Sequence, residues 1–134
     1  MSDISAEDRI AVHETIALHG HLVDDHEWDR LGEVFADDVV FDVTEYGYGR
    51  LHGLQAMQEL VRNSSDPSNQ PLGHHVTNIV IVGHDRQNVR VRSKALAVAA
   101  DGTSTSAVYD DVLRREPQGW RIGHRTVTAH RDAH

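Results

Sequence analysis

The sequence predicts an α+β domain in which helices from the first half pack on one face of an antiparallel sheet. Three observations predict it. Apolar residues recur at helical spacing over the first third of the chain. From Val39 the character changes to β-branched residues in alternation. After Gly73 only strand-like runs follow, separated by turn signals. A chain of 134 residues lies within the usual range of about 100–150 for one domain, and no internal repeat is visible. Apolar residues make up 39% and charged residues 25%, which excludes a disordered chain.

Each element has a local reason. Ser5 followed by Asp8 reads as an N-cap with an acidic first turn, suited to a helix dipole. Ile10, Ala11, Ala17, Leu18, Leu22 and Val23 form a rough apolar stripe that ends near Asp24 and Asp25. A second, shorter helix fits 27–36, with Trp28, Leu31, Val34 and Phe35 on one side. Val39, Val40, Phe41 and Val43 read as a strand, and Tyr46-Gly47-Tyr48-Gly49 as a glycine-broken turn. Leu54, Met57, Leu60 and Val61 are spaced like a third helix, followed by a polar loop over 63–71. Strands are predicted over 74–82, 88–100, 103–115 and 120–129, with Asp101-Gly102 a hairpin signal. The tail 131–134 is expected to be loose.

Composition narrows the partners. The 13 basic residues face 21 acidic ones, a net charge of −8, and form no run. Nucleic acid and anionic membrane are therefore not expected as partners. There is no cysteine, hence no disulfide framework and no thiol nucleophile. The first residues carry acids and no apolar core, so no signal peptide is expected. No apolar run approaches the ~18 residues of a membrane span. A cytoplasmic protein is the expectation. Histidine is the conspicuous residue, at 11.

Polar side chains interrupt apolar patterns in three places. His19, His21 and Asp24 sit at the end of the first helix. His19 and Asp24 lie about 140° apart around it, so both can border one apolar stripe. His74 and His75 begin a strand, and alternation sends His74, Val76 and Asn78 to one face. Arg125 lies on the last strand, with His124 on the opposite face. The same residues also fit a solvated helix end, a sheet rim and a solvent-facing arginine. As chemistry, a carboxylate beside a histidine makes a base unit, and a nearby arginine stabilises an anion. No nucleophile elbow, phosphate loop or HExxH occurs. No metal and no cofactor is expected, although ligands gathered from distant elements remain an alternative.

In order along the chain, several strings resemble one family: Asp24-Asp25-His26-Glu27-Trp28-Asp29-Arg30-Leu31, Val34-Phe35-Ala36-Asp37-Asp38-Val39, Gly53-Leu54-Gln55-Ala56-Met57, His74-His75-Val76-Thr77-Asn78, and Tyr109-Asp110-Asp111 followed by Gly119-Trp120-Arg121-Ile122 and Arg125. The set resembles SnoaL-like proteins of the nuclear-transport-factor-2-like superfamily. The resemblance covers nearly the whole chain. It implies a single SnoaL-like domain over 1–134, ordered over about 5–130. The implied fold is a cone-shaped α+β barrel, a curved antiparallel sheet wrapped around three helices with a deep apolar pocket.

The subgroup most similar in motif contains scytalone dehydratase, bile acid 7α-dehydratase and hexachlorocyclohexane dehydrochlorinase. These use an Asp–His dyad to remove a proton before a leaving group departs. The resemblance matches their Asp to Asp24, their His to His74 and their last-strand Arg to Arg125. Many members have a Tyr where this chain has His19, which would donate a hydrogen bond or act as a second acid. Trp28, Tyr46, Tyr48 and Asn78 become the candidate substrate contacts, with Tyr46 and Tyr48 at the pocket mouth. Turn packing is the other reading of the two tyrosines.

The implied activity is a cofactor-independent lyase or isomerase, dehydratase-like, acting on a small cyclic or polyketide-like substrate. A polyketide cyclase, an epoxide hydrolase and a non-catalytic ligand-binding or assembly module are the alternatives. A water-activating site would draw on Asp42, Asp111 or Asn78, although Asp111 is expected to pair with an arginine across strands. Ile79 and Ile81 face one side of their strand and Val80 and Val82 the other, which predicts a covered outer face in a homodimer or homotrimer.

Overall fold

A computed structural model describes residues 4–63 and 71–129. Residues 64–70 of the predicted polar loop and the predicted loose tail 131–134 lie outside the described residues. Helix α1 (Ala6–Asp24) starts where the cap predicts, with Ser5 Oγ accepting from the Asp8 amide at 3.0 Å. Its buried face differs from the predicted stripe. Val12, Ile16, His19, Gly20, Leu22 and Val23 are buried, whereas Ile10 is 60% exposed and Ala17 faces solvent. A histidine and a glycine occupy the face that apolar periodicity alone would reserve for larger apolar side chains.

The predicted second helix is a 3-10 helix, Trp28–Glu33, and strand β1 (Phe35–Val43) begins within the expected span. Gly32 weakens an α-helix there, and Val34 and Phe35 favour extended backbone. A 3-10 turn at Thr44–Tyr46 leads through Gly47, at φ 88°, to β2 (Gly49–His52). Helix α2 (Leu54–Asn63) is the predicted third helix. Strands β3 (Pro71–His84), β4 (Asn88–Ala99), β5 (Ser104–Glu116) and β6 (Gly119–Ala129) follow the predicted runs within a few residues.

The sheet order is β2-β1-β6-β5-β4-β3. All neighbours are antiparallel except β1 and β6, which are parallel, so the sheet is mixed. The reason is topological. After α2 the meander starts at the far edge, and its three antiparallel steps return β6 beside β1 in the same direction. With the helices on its inner side, this curved sheet makes the cone-like α+β fold.

Two apolar clusters fill the inner side. The larger joins Val12, Ile16 and Leu22 of α1 to Phe35, Val91, Leu113, Ile122 and their neighbours. The smaller holds Val43, Ala95, Tyr109 and Val127, with half-buried Phe41, Leu60, Val76 and Ala107 against it. Strand register places the paired residues Asp111 and Arg125 between the two clusters.

A break in β3 corrects one parity. Its register with β4 shifts between Thr77 and Val80, and Asn78 has φ 54°. The bulge turns Asn78 out to solvent instead of leaving it beside His74 and Val76. Beyond it, Ile79 and Ile81 pack on the core, while Val80 and Val82 are 55% and 56% exposed.

Candidate active site

Helix α1 crosses β3 at Gly20. A Cβ on Gly20 would lie 2.5 Å from the His74 carbonyl oxygen, closer than any side chain allows. The missing side chain lets helix and strand touch through backbone. Asp24, one turn further on, then reaches His74. The His74 amide donates to Asp24 Oδ2 at 2.9 Å and to Oδ1 at 3.1 Å. His74 Nδ1 lies 2.7 Å from Asp24 Oδ1. An ionised carboxylate only accepts, so Nδ1 carries the proton and Nε2 keeps a lone pair. The Asp24 and His74 side chains are 25% and 23% exposed. The sequence-predicted dyad residues are therefore in contact and partly exposed.

Arg125 sits deeper than expected. Its side chain is 1% exposed and grips Asp111 with two hydrogen bonds, Nε to Oδ1 at 2.7 Å and Nη2 to Oδ2 at 2.8 Å. The guanidinium carbon lies 3.9 Å from the centre of the Tyr109 ring and 5.2 Å from that of Phe35. Burial opposes the Arg125 charge, but the Asp111 carboxylate outweighs it and raises the pKa. Arg125 is thus a fixed, enclosed cation rather than a free hand for a substrate anion.

His19 lies against the buried pair. Its ring packs edge-on against Phe35 and Tyr109, with centroids at 5.6 and 5.9 Å. Arg125 Nη1 makes a long contact of 3.4 Å with His19 Nδ1. A guanidinium has no acceptor, so Nδ1 receives and Nε2 carries the imidazole proton. Burial first, then the nearby Arg125 charge and then His74, holds the His19 pKa well below its usual value. His19 is a neutral hydrogen-bond donor at physiological pH.

The remaining candidates divide. Tyr46 and Tyr48 are exposed, at 45% and 56%, on the segment between β1 and β2. The Tyr109 pKa is raised, first by burial, with Asp111 and Tyr46 adding to it against the Arg125 charge. Trp28 stacks on His26, with ring centroids 5.1 Å apart, and packs against the larger cluster. Neither Trp28 nor Asn78 is brought to the dyad. Asp42 is occupied by Thr44 and Arg50. Among the described residues no cluster of three His, Asp or Glu side chains is placed to hold a metal ion, and no described helix is long and apolar enough to cross a membrane.

Tyr109 and Ser93 are not among the candidates read from the sequence. Both are buried on the inner face, and their Cα atoms are direct partners across β4 and β5. Alternation through the buried residues Val89 and Val91 points at Ser93, so a signal was present.

Solved structures share the fold. One from Novosphingobium aromaticivorans, provisionally described as an aromatic ring hydroxylase, aligns with a TM-score of 0.80 at 23% identity, over 97% of this chain and 94% of that one. Another from the same organism, provisionally described as a scytalone dehydratase, gives 0.74 at 16% identity, over 92% and 84%. LinA gives 0.74 at 19% identity, over 92% and 86%. No functionally curated protein matches the sequence significantly. The model of the SnoaL-like domain matches residues 5–126. With that match over nearly its whole length and an NTF2-like fold around it, the chain belongs to the SnoaL-like domain family.

Proposed function

We propose that the protein is a cofactor-independent lyase or isomerase that removes a proton from carbon in a small cyclic or polyketide-like substrate. The 2.7 Å bond between His74 Nδ1 and Asp24 Oδ1 carries this reading, because it leaves Nε2 as the base. Asp24 fixes the tautomer and stabilises the imidazolium that forms. The C–H electron pair moves toward a substrate carbonyl as an enolate, or onward to expel a leaving group from the neighbouring carbon. His19 Nε2 donates to the oxygen that gains charge. Arg125 is a positioning residue, holding the His19 tautomer and adding a fixed positive potential. The dehydratase-type structural neighbours support this class of reaction. A water-activating hydrolase is less well supported: Asp42 and Asp111 are occupied by arginines and Asn78 faces solvent.

The test is hydrogen–deuterium exchange at the α-carbon of a cyclic ketone, 2-tetralone, followed by NMR in heavy water. Wild-type protein should accelerate exchange over buffer. His74→Ala and Asp24→Asn should each lose about 10²–10⁴-fold. Exchange that survives in His74→Ala, or none with wild type, overturns the reading.

The exposed Val80, Val82 and Leu96 on the outer sheet face support the inference of a homodimer or homotrimer. Gel filtration should give two or three times 15.0 kDa, and a monomer's mass would refute it.

A further inference from the structure

Ser93 is completely buried, and its Oγ is without a hydrogen-bond partner among the described residues. An orphaned buried hydroxyl costs free energy, and such groups concentrate where a ligand or water completes the bond. Ser93 stands directly across the β4–β5 ladder from Tyr109. Directly opposed residues hold their Cβ atoms about 5 Å apart on the same face. Tyr109 belongs to the smaller apolar cluster, between Val43, Ala95 and Val127, and is 8% exposed. The Arg125 guanidinium against one ring face and the edge-on His19 ring fix its position. Burial raises the phenol's pKa, so it keeps its proton and donates. An apolar wall with two hydroxyl groups on adjacent strands suits an apolar ring bearing an oxygen.

We propose that Tyr109 and Ser93 form an oxygen-recognition strip on the sheet wall, which takes a hydroxyl or carbonyl oxygen of an apolar cyclic ligand. The strip rests on the reading of this interior as a substrate site. It makes oxygenation of the ring the selected feature, separately from the proton that His74 removes. Tyr109→Phe keeps the ring, and with it the stack on Arg125, and deletes only the hydroxyl.

The experiment compares 2-naphthol with naphthalene by fluorescence titration. Wild type should prefer 2-naphthol. Tyr109→Phe should weaken 2-naphthol about tenfold, the value of one lost hydrogen bond in a dry site, and leave naphthalene unchanged. Ser93→Ala should weaken 2-naphthol in the same direction, and its Tm should rise by a few degrees because the orphaned hydroxyl is gone. Asp24→Asn and His74→Ala should keep the preference. A wild type that binds neither compound or both alike, a preference untouched by Tyr109→Phe, or a lowered Tm in Ser93→Ala overturns the strip. Loss of the preference in the dyad variants assigns it to the dyad and also overturns the strip. Intact ketone exchange in His74→Ala, with the naphthol preference intact, would instead overturn the proposed reaction and leave the strip standing.

Discussion

Asp24 with His74 and Asp111 with Arg125 are both carboxylate–base pairs on the inner side of one sheet. The first leaves its side chains 25% and 23% exposed; the second leaves 0% and 1%. The first joins helix to strand through an imidazole, whose two ring nitrogens can accept and donate. The second joins neighbouring strands and includes a group that stays charged at any working pH. Exposure and an imidazole nitrogen with a free lone pair suit the first pair to the proposed proton transfer. Enclosure and permanent charge suit the second to holding a field and a tautomer in place. The first pair reaches the surface and the second is sealed between two apolar clusters, which is the physical difference behind the roles proposed for them.

The comparison breaks most sharply in stability. Arg125→Met should cost about 3–5 kcal/mol, because it strands the Asp111 carboxylate in an apolar interior. Asp111→Leu should cost a similar amount for the opposite reason. The double variant should recover most of the loss, since a buried pair contributes little net stability over apolar residues of similar volume. Asp24→Asn should cost at most about 1 kcal/mol, as solvent already screens that pair. Urea denaturation of the four variants measures all of this. Equal losses at Asp24 and Asp111 would erase the distinction between the pairs.

A smaller effect tests how the exposed pair is assembled. Gly20→Ala places a methyl group 2.5 Å from the His74 carbonyl oxygen, so α1 or β3 must shift. Overpacking of this kind costs about 1–3 kcal/mol, against about 1 kcal/mol gained from better helix propensity. The expected outcome is a net loss in stability and a larger relative loss in ketone exchange, because the Asp24–His74 distance depends on that crossing. A Gly20→Ala protein more stable than wild type and fully active would show that the crossing is looser than this.

The positions of β1 and β3–β6 were legible because their signals are local, whereas the four-residue β2 was not read as a strand. β-branched runs and the Asp101-Gly102 turn need no knowledge of the rest of the chain. The parallel β1–β6 pair was not legible, since it depends on which edge of the sheet receives β3. The buried face of α1 was misread because His19 and Gly20 lie on it, and neither counts as a large apolar residue. Those exceptions have a structural use: Gly20 permits the crossing that brings Asp24 to His74, and His19 packs against Arg125 and Tyr109. Asp24 and His74 were selected by family pattern rather than by spacing, as no spacing rule relates a helix end to a strand 50 residues away. Asn78 was misplaced by a bulge that alternation cannot foresee. Pairing of Asp111 with an arginine across strands was an expectation from residue type, and strand register supplies the partner, Arg125.

The smallest effect decides which pair His19 belongs with. Folded His19 has its pKa held well below 6.5, first by burial, whereas in the unfolded chain it takes up a proton near that value. Below that pH the unfolded state binds more protons, so this contribution is full above pH 6.5 and is lost as pH falls. The slope is at most about 1.4 kcal/mol per pH unit. The carboxylates with lowered values, such as Asp8 and Asp42, start from 3.8 and act only in a more acidic window. His19→Leu should therefore flatten the stability profile as pH falls below 6.5 while leaving the more acidic fall in place. An unchanged slope in His19→Leu would mean that folding does not hold His19 neutral, and that it does not belong with the sealed pair. A flattened slope keeps it with the sealed pair, as a neutral donor whose tautomer Arg125 sets.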